Sequence, residues 1–430
     1  MKHWFGCGLL VWLLCSVMPA RAVIEIEITK GGADAIPIAI VPFGFSGSAA
    51  PTEDVAAIVT ADLYRSGLFE PLPLQDLIAR PVSGDVPNHL QWRLTGTEFL
   101  VLGAVISADT GYRVEFQLYD TIQEELLSSL QFSVRNNQSL RNAAHEIADV
   151  IHEEITGIPG AFNTQIAYVS VRGGQQSKQY QLQVADADGM APQAMLTSPR
   201  PIVSPSWAPD GNRIAYVSFE NRERSAIFIQ DRARGTRKRV ISREGINGAP
   251  SWSPDGRKLA IVLSHEGNPD IYTVDISSGE TRRVTNNSAI DTEPRWLDES
   301  TLLFTSNRSG GPQIYRASVT GGQAKRVTFE GNYNTSVSIA PDRRSIAFVH
   351  RNGQNFNIAT QDLNSGAFNV LTSGNLDESP SFAPNGQMIL FASSVGGGSL
   401  GAVSIDGAVS QQLTIDVGVV REPSWSPYSR

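Results

Sequence analysis

The strongest constraint on the fold of this chain is one motif written six times at nearly constant spacing. It is fullest at Pro205-Ser206-Trp207-Ala208-Pro209-Asp210-Gly211 and Pro250-Ser251-Trp252-Ser253-Pro254-Asp255-Gly256, weaker around Trp296, Ile339 and Phe382, and closes the chain as Pro423-Ser424-Trp425-Ser426-Pro427. Successive centres lie 45, 44, 43, 43 and 43 residues apart, the period of four-stranded propeller blades. About seven residues after each centre but the last comes an apolar run suited to a strand, at 214–218, 259–263, 302–306, 346–350 and 389–393.

The final centre has no such run, because the chain stops at Arg430, yet an unpartnered run at 166–170 reads I-A-Y-V-S much as 214–218 does. If the terminal motif supplies the inner strand of the blade that begins at Ile166, the ring closes at six blades and few sheet edges stay unpaired. A third strand recurs at 271–275 and 314–317, and a short fourth follows a glycine turn at 283–285, with echoes at 327–328, 371–372 and 413–414. Pro-Asp-Gly between first and second strands is a turn: Pro fixes φ, Asp bonds its own backbone and Gly takes positive φ. Asp210, Asp255 and Asp342 are therefore expected as turn residues, since no blade shows the acidic clustering of a calcium site. Trp207, Trp252, Trp296 and Trp425 are expected to pack between blades.

The start of the chain addresses its compartment. Lys2 and His3 precede an apolar stretch from Trp4 to Val17, and Ala20-Arg21-Ala22 is an A-x-A cleavage site, so 1–22 reads as a secretory signal peptide cut after Ala22. The stretch is too short for a membrane span. Both cysteines, Cys7 and Cys15, fall in that leader, so the exported remainder relies on no disulfide and offers no thiolate to a metal. Loss of Lys2 and Arg21 takes the formal net charge from −8 to −10, a surface that argues against nucleic acid and anionic headgroups as partners.

A different texture precedes the blades and predicts an α/β domain over 23–157, ahead of a propeller over 158–430. Strand 36–43, a helix capped by Thr52 and Glu53 and ended by Gly67, a helical patch at 75–79, strands near 99–106, 113–119 and 126–134, and a helix 139–156 follow in order. Residues 157–160, Gly-Ile-Pro-Gly, make the hinge. At the front, Ile24, Ile26 and Ile28 alternate with Glu25, Glu27 and Thr29 before Gly31 and Gly32, so 23–32 reads as a mobile strand. It can dock on its own domain or be lent to another sheet edge.

No catalytic constellation emerges. The G-x-S-x-G match Gly397-Gly398-Ser399-Leu400-Gly401 lies in a predicted hairpin and no histidine follows it, so the hydrolase order Ser, Asp, His is broken. Gly44-Phe45-Ser46-Gly47 lacks the Gly-Lys-Ser/Thr of a phosphate loop. His145 and His152 stand seven apart on one helix face with Asp149 between them, a spacing that fits a solvated face better than a metal site. No cofactor and no metal is expected.

What remains is a surface. Residues just before each motif ring one mouth of the propeller channel: Val203 and Ser204; Asn247 and Ala249, preceded by apolar Ile246; Asp291, Thr292 and Glu293; Tyr333, Asn334 and Thr335; Asp377 and Glu378; Arg421 and Glu422. Five carboxylates against Arg421 make an acidic, polar mouth suited to a basic loop or helix end of a protein.

An exported precursor, a small α/β domain, six W-S-P-D-G blades and a terminal P-S-W-S-P together resemble the TolB family of the Gram-negative Tol-Pal system. The segments 247–250, 292–294 and 377–380 carry the likeness most specifically. The resemblance implies a monomeric, non-enzymatic periplasmic adaptor that supports outer-membrane integrity and constriction at cell division. It further implies that the mouth binds the peptidoglycan-associated lipoprotein, and that Val23, Ile24, Glu25, Ile26, Glu27 and Ile28 meet the periplasmic domain of TolA. Other outer-membrane lipoproteins and bacteriocins stay open as partners. The competing readings are a periplasmic hydrolase of the prolyl oligopeptidase-like type and a peptidoglycan-binding propeller.

Overall fold

The computed structural model describes residues 35–428, apart from 49, 175–176, 221–223, 396–397, 414 and 416–417. The expected leader and the alternating strand 23–32 lie outside the described residues. The N-terminal unit runs β1 (Ile36–Ile40), β2 (Gly44–Ser46), α1 (Val55–Arg65), β3 (Phe69–Pro71), α2 (His89–Arg93), β4 (Phe99–Ser107), β5 (Tyr112–Asp120), β6 (Glu125–Val134) and α3 (Asn137–Thr156). Its sheet is ordered β3-β1-β4-β5-β6, with β2 also on β4. Strand periodicity divides its two faces. Ile38, Ile40, Val101 and Val105 pack under α1 and α3, while Ala39, Val41, Leu100 and Leu102 pack with Trp92 of α2.

Local chemistry sets the element ends. Asp54, not Thr52 or Glu53, caps α1, its Oδ1 accepting the Ala57 N–H at 3.1 Å. Asn136 caps α3 by accepting from both the Ser139 N–H (2.9 Å) and the Ser139 hydroxyl (2.7 Å), so the helix starts two residues before Ser139. Gly157 ends α3 at φ 71°, a conformation glycine adopts without strain. The helical patch expected at 75–79 is only a 3-10 turn, Leu74–Asp76, whereas α2 was not anticipated because five residues are too few to show a period.

Six four-stranded sheets follow, each ordered from the inner strand outward. Blades 1 to 5 begin at the inner strands Ile202–Trp207, Asn247–Trp252, Asp291–Trp296, Asn334–Ile339 and Asp377–Phe382. In blade 6 the inner strand is the C-terminal Val419–Trp425, paired antiparallel with Gln165–Arg172 in the register Trp425↔Ile166 and Arg421↔Val169. Each Asp of the Pro-Asp turns accepts a backbone N–H two residues on: Asn212 from Asp210 (2.9 Å), Arg257 from Asp255 (2.9 Å) and Arg344 from Asp342 (2.8 Å). The motif tryptophans stitch neighbours together. Indole N–H groups of Trp207, Trp252 and Trp296 each donate at 3.0 Å to the carbonyl of Ser424, Ser206 and Ser251 on the preceding blade. A bond of this kind contributes about 1 kcal/mol beyond the apolar area the ring buries.

One helix face of α3 joins the two units. Arg141 bonds Asp186 (3.0 Å) and Asp188 (2.7 Å) of blade 6. His145 Nδ1 lies 2.6 Å from Asp62 of α1 and its Nε2 3.9 Å from Asp186. Asp149 accepts the N–H of Phe162 (2.7 Å) and of Asn163 (3.0 Å), holding the connection to the blades, and His152 Nδ1 is 2.8 Å from the Ile158 carbonyl. This corrects the expectation of a solvated face: His145 and His152 are 1% and 3% exposed. His145, Asp186 and Asp188 are close enough to share a metal ion, but the Arg141 guanidinium already neutralises both carboxylates there.

Candidate protein-docking surface at the channel mouth

The inner strands do not run evenly to the mouth. In every blade the pairing with the second strand slips at one place, between Val203 and Ser206, Gly248 and Ser251, Thr292 and Arg295, Thr335 and Ser338, Glu378 and Ser381, and Arg421 and Ser424. At that bulge the third residue of the motif region takes positive φ: Ser204 56°, Ala249 46°, Glu293 53°, Ser336 54°, Ser379 57° and Glu422 50°. None is glycine, and such a conformation costs a residue with a Cβ on the order of 1 kcal/mol. A strain repeated once per blade around a single channel marks a built feature of the ring.

Two opposite members of this ring hold the next blade. The Glu293 carboxylate of blade 3 accepts the Ser336 N–H (2.8 Å), the Ser336 hydroxyl (2.7 Å) and the Thr305 hydroxyl (2.8 Å). Glu422 of blade 6 accepts the Ser204 N–H of blade 1 in the same way. Burial pushes the Glu422 carboxyl up, against the Ser204 N–H that lowers it. Two residues further on, five blades carry Ser206, Ser251, Ser338, Ser381 and Ser424, and blade 3 alone carries Arg295. Burial lowers the Arg295 pKa, while Glu293 beside it and Glu422 of the opposite blade raise it, and its guanidinium donates to the Pro294 carbonyl at 3.0 Å.

The structure sorts the residues expected at the mouth into two sets. Val203, Ser204, Ala249, Thr292, Glu293, Tyr333, Thr335, Glu378 and Glu422 are half-buried and Arg421 is exposed, all at the channel entrance. Asn247, Asp291, Asn334 and Asp377 are instead buried, at 2% exposure or less. They begin their strands and fasten loops: Arg308 clasps Asp291 at 2.9 and 2.8 Å, Asn247 pairs with the Arg243 backbone at 2.7 Å, and Asn334 Oδ1 lies 2.8 Å from His350 Nδ1. Their side chains are not offered to a partner. The expected five carboxylates thus shrink to Glu293, Glu378 and Glu422, opposed by Arg421 and Arg295, and the mouth is less acidic than composition implied.

An apolar collar takes over the part assigned to charge. The residue immediately before the inner strand is Ile246, Ile290, Tyr333 and Leu376 in blades 2 to 5, with Ile246, Ile290 and Leu376 exposed by 50%, 48% and 41%. Ile290, Tyr333 and Leu376 share a recess with Glu293, Glu378 and Phe356, whose ring meets Tyr333 edge-on at 5.3 Å. Ile246, which looked out of place as the apolar member of a polar rim, is one of a repeating set. The recurrence of an apolar residue at this one motif position was the available signal for Ile290 and Leu376.

The other motifs carry structure. Ser399 opens a strand of blade 5; its hydroxyl lies 3.2 Å from the Val395 carbonyl and accepts from Gln412 Nε2 at 3.0 Å, and neither partner is a base. A Cβ on Gly401 would come 2.4 Å from the Phe391 ring, which explains that glycine by close packing. Gly44–Ser46 is a strand paired parallel with β4, and not a phosphate cradle.

Comparison with known proteins agrees with this architecture. A family profile described as the TolB beta propeller domain matches residues 152–429, and one described as the TolB amino-terminal domain matches 24–127. A Tol-Pal system protein TolB of Nitrosococcus oceani is 52% identical over 56% of this chain and 55% of its own length. One of Alcanivorax borkumensis is 46% identical over 61% of each. The aligned segments thus span little more than half the length of these curated relatives. The crystal structure of TolB from Acinetobacter baumannii superimposes with a TM-score of 0.86 at 41% identity, covering 94% of this chain and all of that one. With the propeller profile spanning well over half of its length, the chain belongs to the TolB family of the Tol-Pal system.

Proposed function

We propose that the chain is a non-enzymatic adaptor of the periplasm, released from its leader after Ala22, whose propeller mouth binds the peptidoglycan-associated lipoprotein and whose segment Val23, Ile24, Glu25, Ile26, Glu27 and Ile28 binds TolA. The observation that carries this reading is the mouth itself: four apolar residues at one repeat position around a rigid polar throat. An apolar rim that encloses satisfied hydrogen-bonding groups is the composition of a protein interface. A catalytic cleft would need a nucleophile and a base in reach of one another, and Ser399 has none. A glycan platform would need stacked aromatics, whereas the collar is aliphatic except for Tyr333.

Support for a second site comes from the surroundings of Ala35. Ala35 lines a cavity of about 350 Å³ between the two units, together with Leu68, Phe162, Ile405 and Val409. Ala35, to which the proposed TolA-binding segment is joined in sequence, thus sits at the junction of the two units. A ligand at the mouth that favours one disposition of that segment must be affected in turn by TolA. Deletion of 23–30 is expected to abolish binding to the periplasmic domain of TolA in a pull-down and to leave lipoprotein affinity within about twofold. Loss of both by a protein that still melts cooperatively would contradict separate sites.

A further inference from the structure

An acidic chain carries one strongly basic patch. Between residues 224 and 243 stand Arg224, Arg232, Arg234, Arg237, Lys238, Arg239 and Arg243 against the single carboxylate Asp231. These residues lie on the outer strand Thr236–Ile241 of blade 1 and in its flanking loops, except Arg224, which stands just before the third strand Ala226–Asp231. Three of the guanidiniums, Arg224, Arg239 and Arg243, line one cleft of about 600 Å³ with Ser242 and with Gly279 of blade 2.

The neighbouring charges do not close that cleft. Asp231 is taken by Arg234 (3.1 Å) and Glu220 by Arg237, while Lys238 donates to the Ile276 carbonyl at 3.0 Å. Arg243 is fixed from the side, with Nη1 2.8 Å from His265 Nε2 and Nη2 donating to Thr281 at 2.7 Å. Arg224 and Arg239 are exposed, and among the described residues none accepts a hydrogen bond from either. Glu244 and Glu280 remain as exposed carboxylates at its border. Guanidiniums crowded together, two of them without acceptors among the described residues, repel one another, and an anion rich in oxygen relieves that repulsion with bidentate hydrogen bonds.

We propose that this rim of blades 1 and 2 binds the phosphate headgroups of an anionic lipid bilayer. Its basic residues extend along the exposed part of the outer strand beyond the cleft, which fits an array of phosphates better than one ion. Exposed Phe219 stands shortly before Arg224 in the sequence, the pairing of apolar and basic side chains suited to a membrane interface. The Arg243 end of the rim lies beside the mouth, where the Arg243 N–H donates to Asn247 at 2.7 Å. If the mouth holds a membrane-anchored lipoprotein, that side faces the bilayer; this orientation rests on the proposed function, whereas the cleft does not. The net negative charge of the chain is no obstacle, because charges more than about 8 Å away are screened at physiological ionic strength.

The test is cosedimentation of the protein, purified from the periplasm of an expressing cell, with phosphatidylcholine vesicles that contain or lack phosphatidylglycerol. The expected result is binding only when phosphatidylglycerol is present, weakened by added salt, and reduced roughly fivefold for each guanidinium removed in Arg224→Ala/Arg239→Ala. Arg224→Lys/Arg239→Lys should retain most of it, and thermal unfolding should not change in either variant. A collar variant, Ile290→Asp/Leu376→Asp, should bind vesicles normally, which separates failure of this proposal from failure of the lipoprotein reading. Equal binding to neutral vesicles, unaltered binding by the double alanine variant, saturation by inorganic phosphate without vesicle binding, or retention on an acidic polypeptide in place of vesicles would each overturn it.

Discussion

Ile290→Asp/Leu376→Asp is expected to lower affinity for the peptidoglycan-associated lipoprotein by roughly a hundredfold or more while leaving the melting temperature unchanged. Both side chains are nearly half exposed in the free protein, so a carboxylate there costs the fold little. In a complex each would be driven into a dehydrated apolar contact beside Glu293 and Glu378, where a further negative charge has no partner. Isothermal titration with wild type and variant checks it. An affinity unchanged within about twofold would leave the collar as ordinary surface. Asp377, by contrast, is no clean probe of the mouth. It is 2% exposed, and a substitution there would act through folding.

Arg141→Met is expected to produce the largest loss of stability, about 3–5 kcal/mol, because it removes the guanidinium that hydrogen-bonds both Asp186 and Asp188 at the junction. Asp186 and Asp188 both lean on this guanidinium, and its side chain is only 10% exposed. Burial favours the protonated form of Asp188, but Arg65, His145 and Arg141 together hold its carboxyl below the usual range. Urea unfolding should show an early transition in the variant, and Arg141→Met/Asp188→Asn should recover part of the loss. If the unfolding free energy changed by less than about 0.5 kcal/mol, the range of an ordinary surface change, the junction would not depend on this pair.

The same junction sets a pH dependence. Burial works against protonation of His145, yet Asp62 at 2.6 Å raises its pKa above the ordinary 6.5. Its contribution to stability is complete below about 6.5 and is lost as pH rises through the folded value. Burial pushes Asp149 up to about 7, with the Phe162 and Asn163 N–H groups pulling it down, so its charging also disfavours the fold as pH approaches 7. His152, lowered by burial, acts in the opposite sense but only below about 6.5. Thermal stability should therefore fall as pH rises above about 6.5, and His145→Gln should flatten that slope. A midpoint that rises over this window would contradict the assignment.

Much of the architecture was legible because propeller blades repeat. Spacing between the tryptophans, the match of 166–170 to 214–218 and the Pro-Asp-Gly turns all carry local, periodic signals. The mouth was legible in position and not in detail. A bulge with positive φ at Ser204, Ala249, Glu293, Ser336, Ser379 and Glu422 shifts the alternation of the inner strand, so period two no longer tells which residue faces inward. That is why Asp291 and Asp377 looked like surface carboxylates although they are buried, and why Arg295 was overlooked. The junction was illegible for another reason: His145 meets Asp62 across 83 residues and Arg141 meets Asp186 across 45, contacts that no local pattern records.

The most direct test of the docking account is hydrogen exchange by mass spectrometry on the chain alone and saturated with the periplasmic domain of the peptidoglycan-associated lipoprotein. Added protection is predicted in the peptides that contain Ser204, Ala249, Glu293, Ser336, Ser379 and Glu422, with the outer strands unaffected. Protection confined to the outer strands or to β4 to β6, with the six mouth peptides exchanging as before, would contradict it.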